Sequence, residues 1–271
     1  MLLEEKIIES LDQAVRANDR RLSDSGNCLK PCEDCVICDP MHGMFIVLDG
    51  ITRVHKEYSA APGKSAACDV NEIFVGAVMR YIADNHREPD AEKLLRGAVK
   101  SGNDRIREFR SQKSLETWGF YPGTLGIIAL IRGARLHYIC AGDCVGMILR
   151  GNTKICFGEQ LSLAALEIKK ISKKDRYDIY CNHPENKLSY TIFNGDECVP
   201  DSCEYANIDL QQGDIVVLAS DGIKNYLKYE FVDVIKTTSA DRLIDLSMEY
   251  DEAPYGTYSD DKSLLKFFYN G

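Results

Sequence analysis

The amino-acid sequence predicts an α+β fold, and two observations carry that prediction. Apolar runs of strand length gather in two long stretches of chain, and amphipathic segments of helix length come in pairs rather than alternating one for one with strands. A third observation concerns chemistry. Several of the strand-like runs end in aspartate, as in Phe45-Ile46-Val47-Leu48-Asp49-Gly50 and Ile215-Val216-Val217-Leu218-Ala219-Ser220-Asp221-Gly222.

Residues 2–20 read as a helix, because Leu3, Ile7, Ile8, Leu11 and Val15 recur at helical spacing. After the turn-rich 23–27, strands are expected at 34–39 and 44–49. Asp39-Pro40-Met41-His42-Gly43 joins them, and its Pro and Gly mark a turn. A polar loop follows over 51–64. Residues 67–85 predict a helix with Ile73, Phe74, Ala77, Val78 and Tyr81 on one face, and Asp90 is suited to cap a second over 91–110. The segments 124–132, 135–141 and 145–150 read as a meander turning at Gly133-Ala134 and Gly142-Asp143, with one more strand at Thr153–Phe157. The stretch 159–187 is charged and irregular, with a helix at Leu161–Ile168 and a solvated lysine run over 169–174. Strands at 190–193 and Ile215–Ala219, helices at 222–229 and 241–249, and a strand at 264–269 complete the chain. The order suits an α+β layout or two sheets with helices outside. No internal repeat or low-complexity tract is evident.

The 271 residues, 45% hydrophobic, suffice for one sizeable core. Residues 1–25 read as an N-terminal helix and lead-in, and 26–271 as a single domain. No run of 18 apolar residues exists, which excludes a helical membrane span. The first residues lack a secretory signal, so a cytoplasmic setting with reduced thiols is expected. The net charge of −9 argues against a nucleic-acid partner. Of the 11 cysteines, four cluster as Cys28, Cys32, Cys35 and Cys38. The cluster has two readings: structural thiols, with Cys35-Val36-Ile37-Cys38 a strand, or a metal or redox module.

A carboxylate at a strand end is held by a rigid element yet reaches solvent. Several from distant parts of a chain point to a shared hard cation. A single Asp-Gly is a common turn and means little alone. The joint pattern says more. Glu33-Asp34 precedes the strand to Asp49-Gly50; Gly123-Thr124 opens a long strand; Gly142-Asp143-Cys144 makes a turn; Leu218-Ala219-Ser220-Asp221-Gly222 and Asp260-Asp261-Lys262-Ser263 follow. In order and approximate spacing, from residue 26 to 269, these resemble the motifs of the metal-dependent protein phosphatases (PPM, type 2C).

The resemblance implies a sandwich of two antiparallel β-sheets flanked by helix pairs, with the site at one end. It implies that Asp49 bridges two Mg2+ or Mn2+ ions, with the Gly50 carbonyl on one. Asp221 and Asp260 would hold one ion. Asp34 would serve the other, with Glu33 nearby and Asp261 behind the ligands. Asp143 would correspond to the ligand of a third, weaker ion. The implied activity is hydrolysis of phosphoserine and phosphothreonine on proteins by a metal-bridged water or hydroxide, with Asp49 and Asp221 the essential carboxylates. The implied partners are a phosphoprotein and a cognate kinase. No cysteine nucleophile is required, and no arginine stands six residues after Cys28, Cys32 or Cys35.

Three positions depart from the family pattern. Ile51-Thr52-Arg53 follows Asp49-Gly50 and supplies no histidine, leaving His42 or His55 as candidate proton donors. Leu29 stands where many members have a phosphate-binding arginine, leaving Lys30 and Arg53 as candidates. Cys144-Val145 follows Asp143, and a lysine-rich segment over 157–186 occupies the place of the family's variable flap. The alternative expectation is a catalytically impaired scaffold of the same fold acting through protein binding.

Overall fold

The computed structural model describes residues 8–16, 31–51, 64–112, 122–252 and 260–271. Among these residues, two five-stranded antiparallel sheets face one another. The first runs β1 (Ile8–Arg16), β10 (Lys262–Tyr269), β9 (Ile215–Ala219), β6 (Val145–Arg150), β7 (Thr153–Phe157). The second runs β2 (Cys35–Asp39), β3 (Met44–Ile51), β4 (Gly123–Arg132), β5 (Arg135–Ala141), β8 (Glu204–Asp209).

Strand β3 shows why the layers form. Its run Met44–Leu48 is wholly buried, and alternate residues face opposite ways. Phe45 and Val47 enter the core between the sheets with Ile127, Ile148, Val216, Leu218 and Phe267; the Phe45 and Phe267 rings stack with centroids 4.2 Å apart. Met44, Ile46 and Leu48 face outward onto α1 (Ala66–Asp84) and α2 (Ala91–Gln112), where Val70, Phe74, Val78, Leu94 and Leu95 cover them. Burying each such side chain stabilises the fold by about 1.5–3 kcal/mol. A strand covered on both faces needs a continuous apolar run, which is what the sequence shows. The other sheet is covered by α6 (Asp221–Tyr229) and α8 (Ala240–Glu252), with Val217, Ala219 and Leu264 packing on Ile223, Leu227, Leu243 and Ile244. Ser65 caps α1 by accepting from Cys68 N, and Asp90 accepts from Lys93 N at the start of α2.

Four expectations need correction. The helix expected over 2–20 is a strand where it is described: residues 8–16 form β1, the edge of the first sheet, hydrogen-bonded along β10. The stretch 190–193 makes only isolated bridges, Cys181↔Tyr190 and Thr124↔Phe193. Strand β8 went unanticipated, as did the short helices α4 (Lys173–Tyr180), α5 (Val199–Ser202) and α7 (Val232–Thr237). The segment expected to be irregular is organised: α3 (Leu161–Ile168) and the chain after it build a small core of Leu163, Leu166, Cys181, Tyr190 and Ile192 over Leu125.

Cys35 and Cys38 lie three residues apart on β2, so their thiols face opposite sides. Cys35 packs on the helix side, while Cys38 packs toward the inter-sheet core and donates to Gln13 Oε1 at 3.0 Å. The two cannot share an ion in this strand, which removes the four-thiolate reading. Cys28 lies outside the described residues. Among the described residues no helix is long and apolar enough to cross a membrane.

Candidate metal centre

The antiparallel registers bring the aspartate-bearing ends to one end of the sandwich. Asp49 pairs with Leu125 across β3 and β4, and Gly126 with Ala141 across β4 and β5. Ala219 of β9 pairs with both Val145 and Leu264. The end of β3, the β5–β6 turn, the end of β9 and the approach to β10 therefore converge. Asp49, Asp143 and Asp221 each offer a carboxylate oxygen to one small volume, these atoms lying within 4.8 Å of one another.

Backbone contacts fix the carboxylates. Thr124 Oγ1 donates to Asp49 O at 3.0 Å, which gives the Gly123-Thr124 pair its role. Glu33, 1% exposed, is a strut: its carbonyl accepts from Gly50 N (3.1 Å) and Asn71 Nδ2 (2.7 Å), and its N–H donates to Asp261 Oδ2 (2.8 Å). The Asp-Gly glycines serve these close approaches. A Cβ on Gly50 would lie 2.6 Å from Glu33 O, and one on Gly222 2.0 Å from Asp261 O. Asp221 opens α6, where the positive end of the helix favours a carboxylate. Ser220, just before it, accepts from Ser263 N at 3.0 Å and binds the Asp34 carboxyl.

The electrostatics are those of crowded, partly buried carboxylates. Burial, then Asp221, Asp34, Asp143 and Asp260, push Asp49 well above the usual carboxylate range. Burial likewise raises Asp34, opposed by the Ser220 and Ser263 hydroxyls and reinforced by Asp261 and Asp221. Asp143 is pushed up to about 8, by burial first and Asp221 second, with Lys224 pulling the other way. Asp34 Oδ2 and Asp143 Oδ1 are buried with no hydrogen-bond partner. Crowded, incompletely bonded oxygens on rigid supports fit a hard divalent cation such as Mg2+ or Mn2+.

Of the positions expected from sequence, Asp34, Asp49, Asp143, Asp221 and Asp260 are gathered here, Asp260 through its influence on Asp49. Gly50, Glu33 and Asp261 form the support behind them. Lys30, Arg53, Leu29 and His55 lie outside the described residues. His42 is excluded as a proton donor: it sits in the β2–β3 turn, its Nδ1 2.6 Å from Asp39 Oδ2. That turn is at the other end of β3, five residues or about 16 Å from Asp49. Sequence reading missed two lysines. Lys224, one helical turn after Asp221, lies 3.9 Å from Asp143 Oδ2, and that i, i+3 spacing was legible. Lys262, 0% exposed, binds Gly222 O and Asp251 Oδ2, and nothing local marks it.

Comparison with solved structures gives the fold a family likeness. The Mycobacterium tuberculosis serine/threonine phosphatase PstP/Ppp is 19% identical, covering 96% of this chain and 99% of its own, with a TM-score of 0.66. The catalytic domain of PstP in complex with two manganese ions has the same identity and coverage and a TM-score of 0.61. The PPM Ser-Thr phosphatase MsPP of Mycobacterium smegmatis, in complex with cacodylate, is 15% identical over 97% of this chain and 99% of its own, with a TM-score of 0.62. No protein-family model and no curated protein matches the sequence. At these identities the likeness establishes the fold: the chain is built as the PPM-type phosphatases are.

Proposed function

We propose that this chain is a divalent-metal-dependent phosphatase acting on phosphoserine and phosphothreonine in proteins. The observation that carries the reading is the meeting of Asp49, Asp143 and Asp221 from three separated strand ends in one partly buried place. The neighbours of like fold, one of them holding two manganese ions, support it.

In this reading Asp34, Asp49, the Gly50 carbonyl, Asp143, Asp221 and Asp260 would hold Mg2+ or Mn2+. Ions so held lower the pKa of water and neutralise charge on a phosphoryl group. The chain's part is positional. Thr124 and Glu33 hold the Asp49-Gly50 backbone, and Ser220 aims Asp34. Asp221 is fixed at a helix start. Rigid placement of this kind keeps reorganisation at the moment of reaction small. Lys30 and Arg53 remain the candidates to contact substrate phosphate. We extend the proposal to a cytoplasmic enzyme opposing a protein kinase, consistent with the free thiols of the described cysteines.

The test is phosphate release from an aryl phosphate and a phosphothreonine peptide with Mn2+. Asp49→Ala and Asp221→Ala are each expected to reduce turnover to background. Mn2+-independent turnover that survives both changes would overturn the reading.

A further inference from the structure

Among the described residues, Lys224 stands against the carboxylate cluster as a cation of the chain's own. Lys224 lies on α6 one turn beyond Asp221, so both side chains leave the helix on the same side. Its side chain is 16% exposed, and its ammonium stands 3.0 Å from Glu159 Oε1 and 3.9 Å from Asp143 Oδ2. Glu159 belongs to the entry of the flap that carries α3, and this entry is bolted to the Gly142-Asp143 turn. Gln160 N donates to Gly142 O at 2.9 Å, and Gln160 Oε1 accepts from Gly142 N at 2.7 Å and from Thr191 N at 2.8 Å. Asp143, Glu159 and Lys224 thus form one unit in which the lysine lies between two carboxylates at the edge of the cluster.

We infer that the Lys224 ammonium is a fixed cation of this centre: it takes the place a divalent ion would need at the Asp143–Glu159 edge, and it fastens the flap entry to the cluster. A divalent ion seated between Asp143 and Glu159 would face the like charge of the Lys224 ammonium, which is paired to Glu159 there. Divalent ions are then confined to the volume that Asp49, Asp143 and Asp221 share, away from Glu159. Asp143 Oδ2 faces Lys224, while Asp143 still offers an oxygen to the volume it shares with Asp49 and Asp221. Neutralising Lys224 frees two carboxylates beside Asp221 and creates an oxygen site where the native protein has none. The inference rests on the metal-dependent reading above.

The experiment counts Mn2+ on the full chain by calorimetry and by electron paramagnetic resonance of unbound ion. It compares the native protein with Lys224→Met, Lys224→Arg and Glu159→Gln. Lys224→Met is expected to bind one more ion, with affinity about tenfold or more below the native sites, while Lys224→Arg keeps the native count. Glu159→Gln is expected to leave the native count unchanged, an arm that holds even if Lys224→Met folds poorly. Loss of one ion in Glu159→Gln, or equal counts in native and Lys224→Met protein, overturns the inference while leaving the phosphatase reading intact. No Mn2+ bound by the native protein overturns both. A lysine that only braced the flap would change the melting temperature and not the ion count.

Discussion

Strand β9 has an aspartate beyond each end, and the two have opposite surroundings. Asp214, 1% exposed, precedes the strand and is saturated from within. Arg150 Nε and Nη2 donate to its two oxygens at 2.9 and 2.7 Å, and Gln211 N adds a bond at 2.8 Å. Asp221, just past the other end, meets Asp49 and Asp143 instead, and burial and mutual repulsion raise both of those neighbours. Half-buried Asp196 repeats the first pattern: Asn182, Asn194 and Arg110 hold it below its ordinary value against the cost of partial burial. Where this fold uses a buried carboxylate for structure, it supplies donors. At the Asp221 end, among the described residues, the carboxylates face one another, with Lys224 against Asp143 and Lys262 against Gly222 O. Uncompensated buried charge costs several kcal/mol per ion, so the chemistry of that end suits a cation from solution.

The widest separation between the two ends should appear in catalysis. Asp221→Asn is expected to lower Mn2+-dependent turnover at least about 100-fold, whereas Asp214→Asn leaves the rate of the folded protein near native. Equal losses in both would break the comparison. Stability should sort them the other way. Asp214→Ala leaves Arg150 half-stranded and is expected to cost about 3 kcal/mol in denaturant unfolding, as for breaking a buried pair. Mn2+ at 100 times its dissociation constant should stabilise the native protein by about 2.7 kcal/mol. The gain should vanish in an Asp49→Asn, Asp221→Asn double variant, as thermal melts would show.

The smallest expected effect is set by pH. Asp143 holds its proton up to about 8 in the folded protein, against 3.8 for an ordinary aspartate. Between those values the folded state binds a proton that the unfolded state has released. This contribution to stability is therefore present at low pH and lost as pH rises toward 8. In chelator-treated protein, Asp143→Asn should raise the melting temperature by a few degrees at pH 8 and by almost nothing at pH 4.5. A gain of equal size at both values would show that Asp143 carries no such burden.

Much of the centre was legible because its signals are local. An apolar run long enough to cross a sheet, followed by Asp-Gly, announces a carboxylate at a strand end, and Asp49 and Asp221 both follow that rule. Asp90 announced its helix by the same short-range logic and does accept from Lys93 N. Strand β1 was not legible, because Leu11 and Val15 suit either period and the choice is made by β10, some 250 residues away. His42 looked available until β3 placed it at the far end. Glu159 and Lys262 carried no mark at all, since each matters only through residues distant in the chain.

The sequence by itself determined the α+β class, the helix pairs and the carboxylates at strand ends, because each rests on periodicity within a dozen residues. The tertiary structure alone decided which carboxylates meet and that residues 8–16 close a sheet edge. It also separated Cys35 from Cys38 and set a lysine beside Asp143. The physical reason is that burial and Coulomb interaction depend on distance in space, and antiparallel pairing sets those distances between segments that share no local pattern.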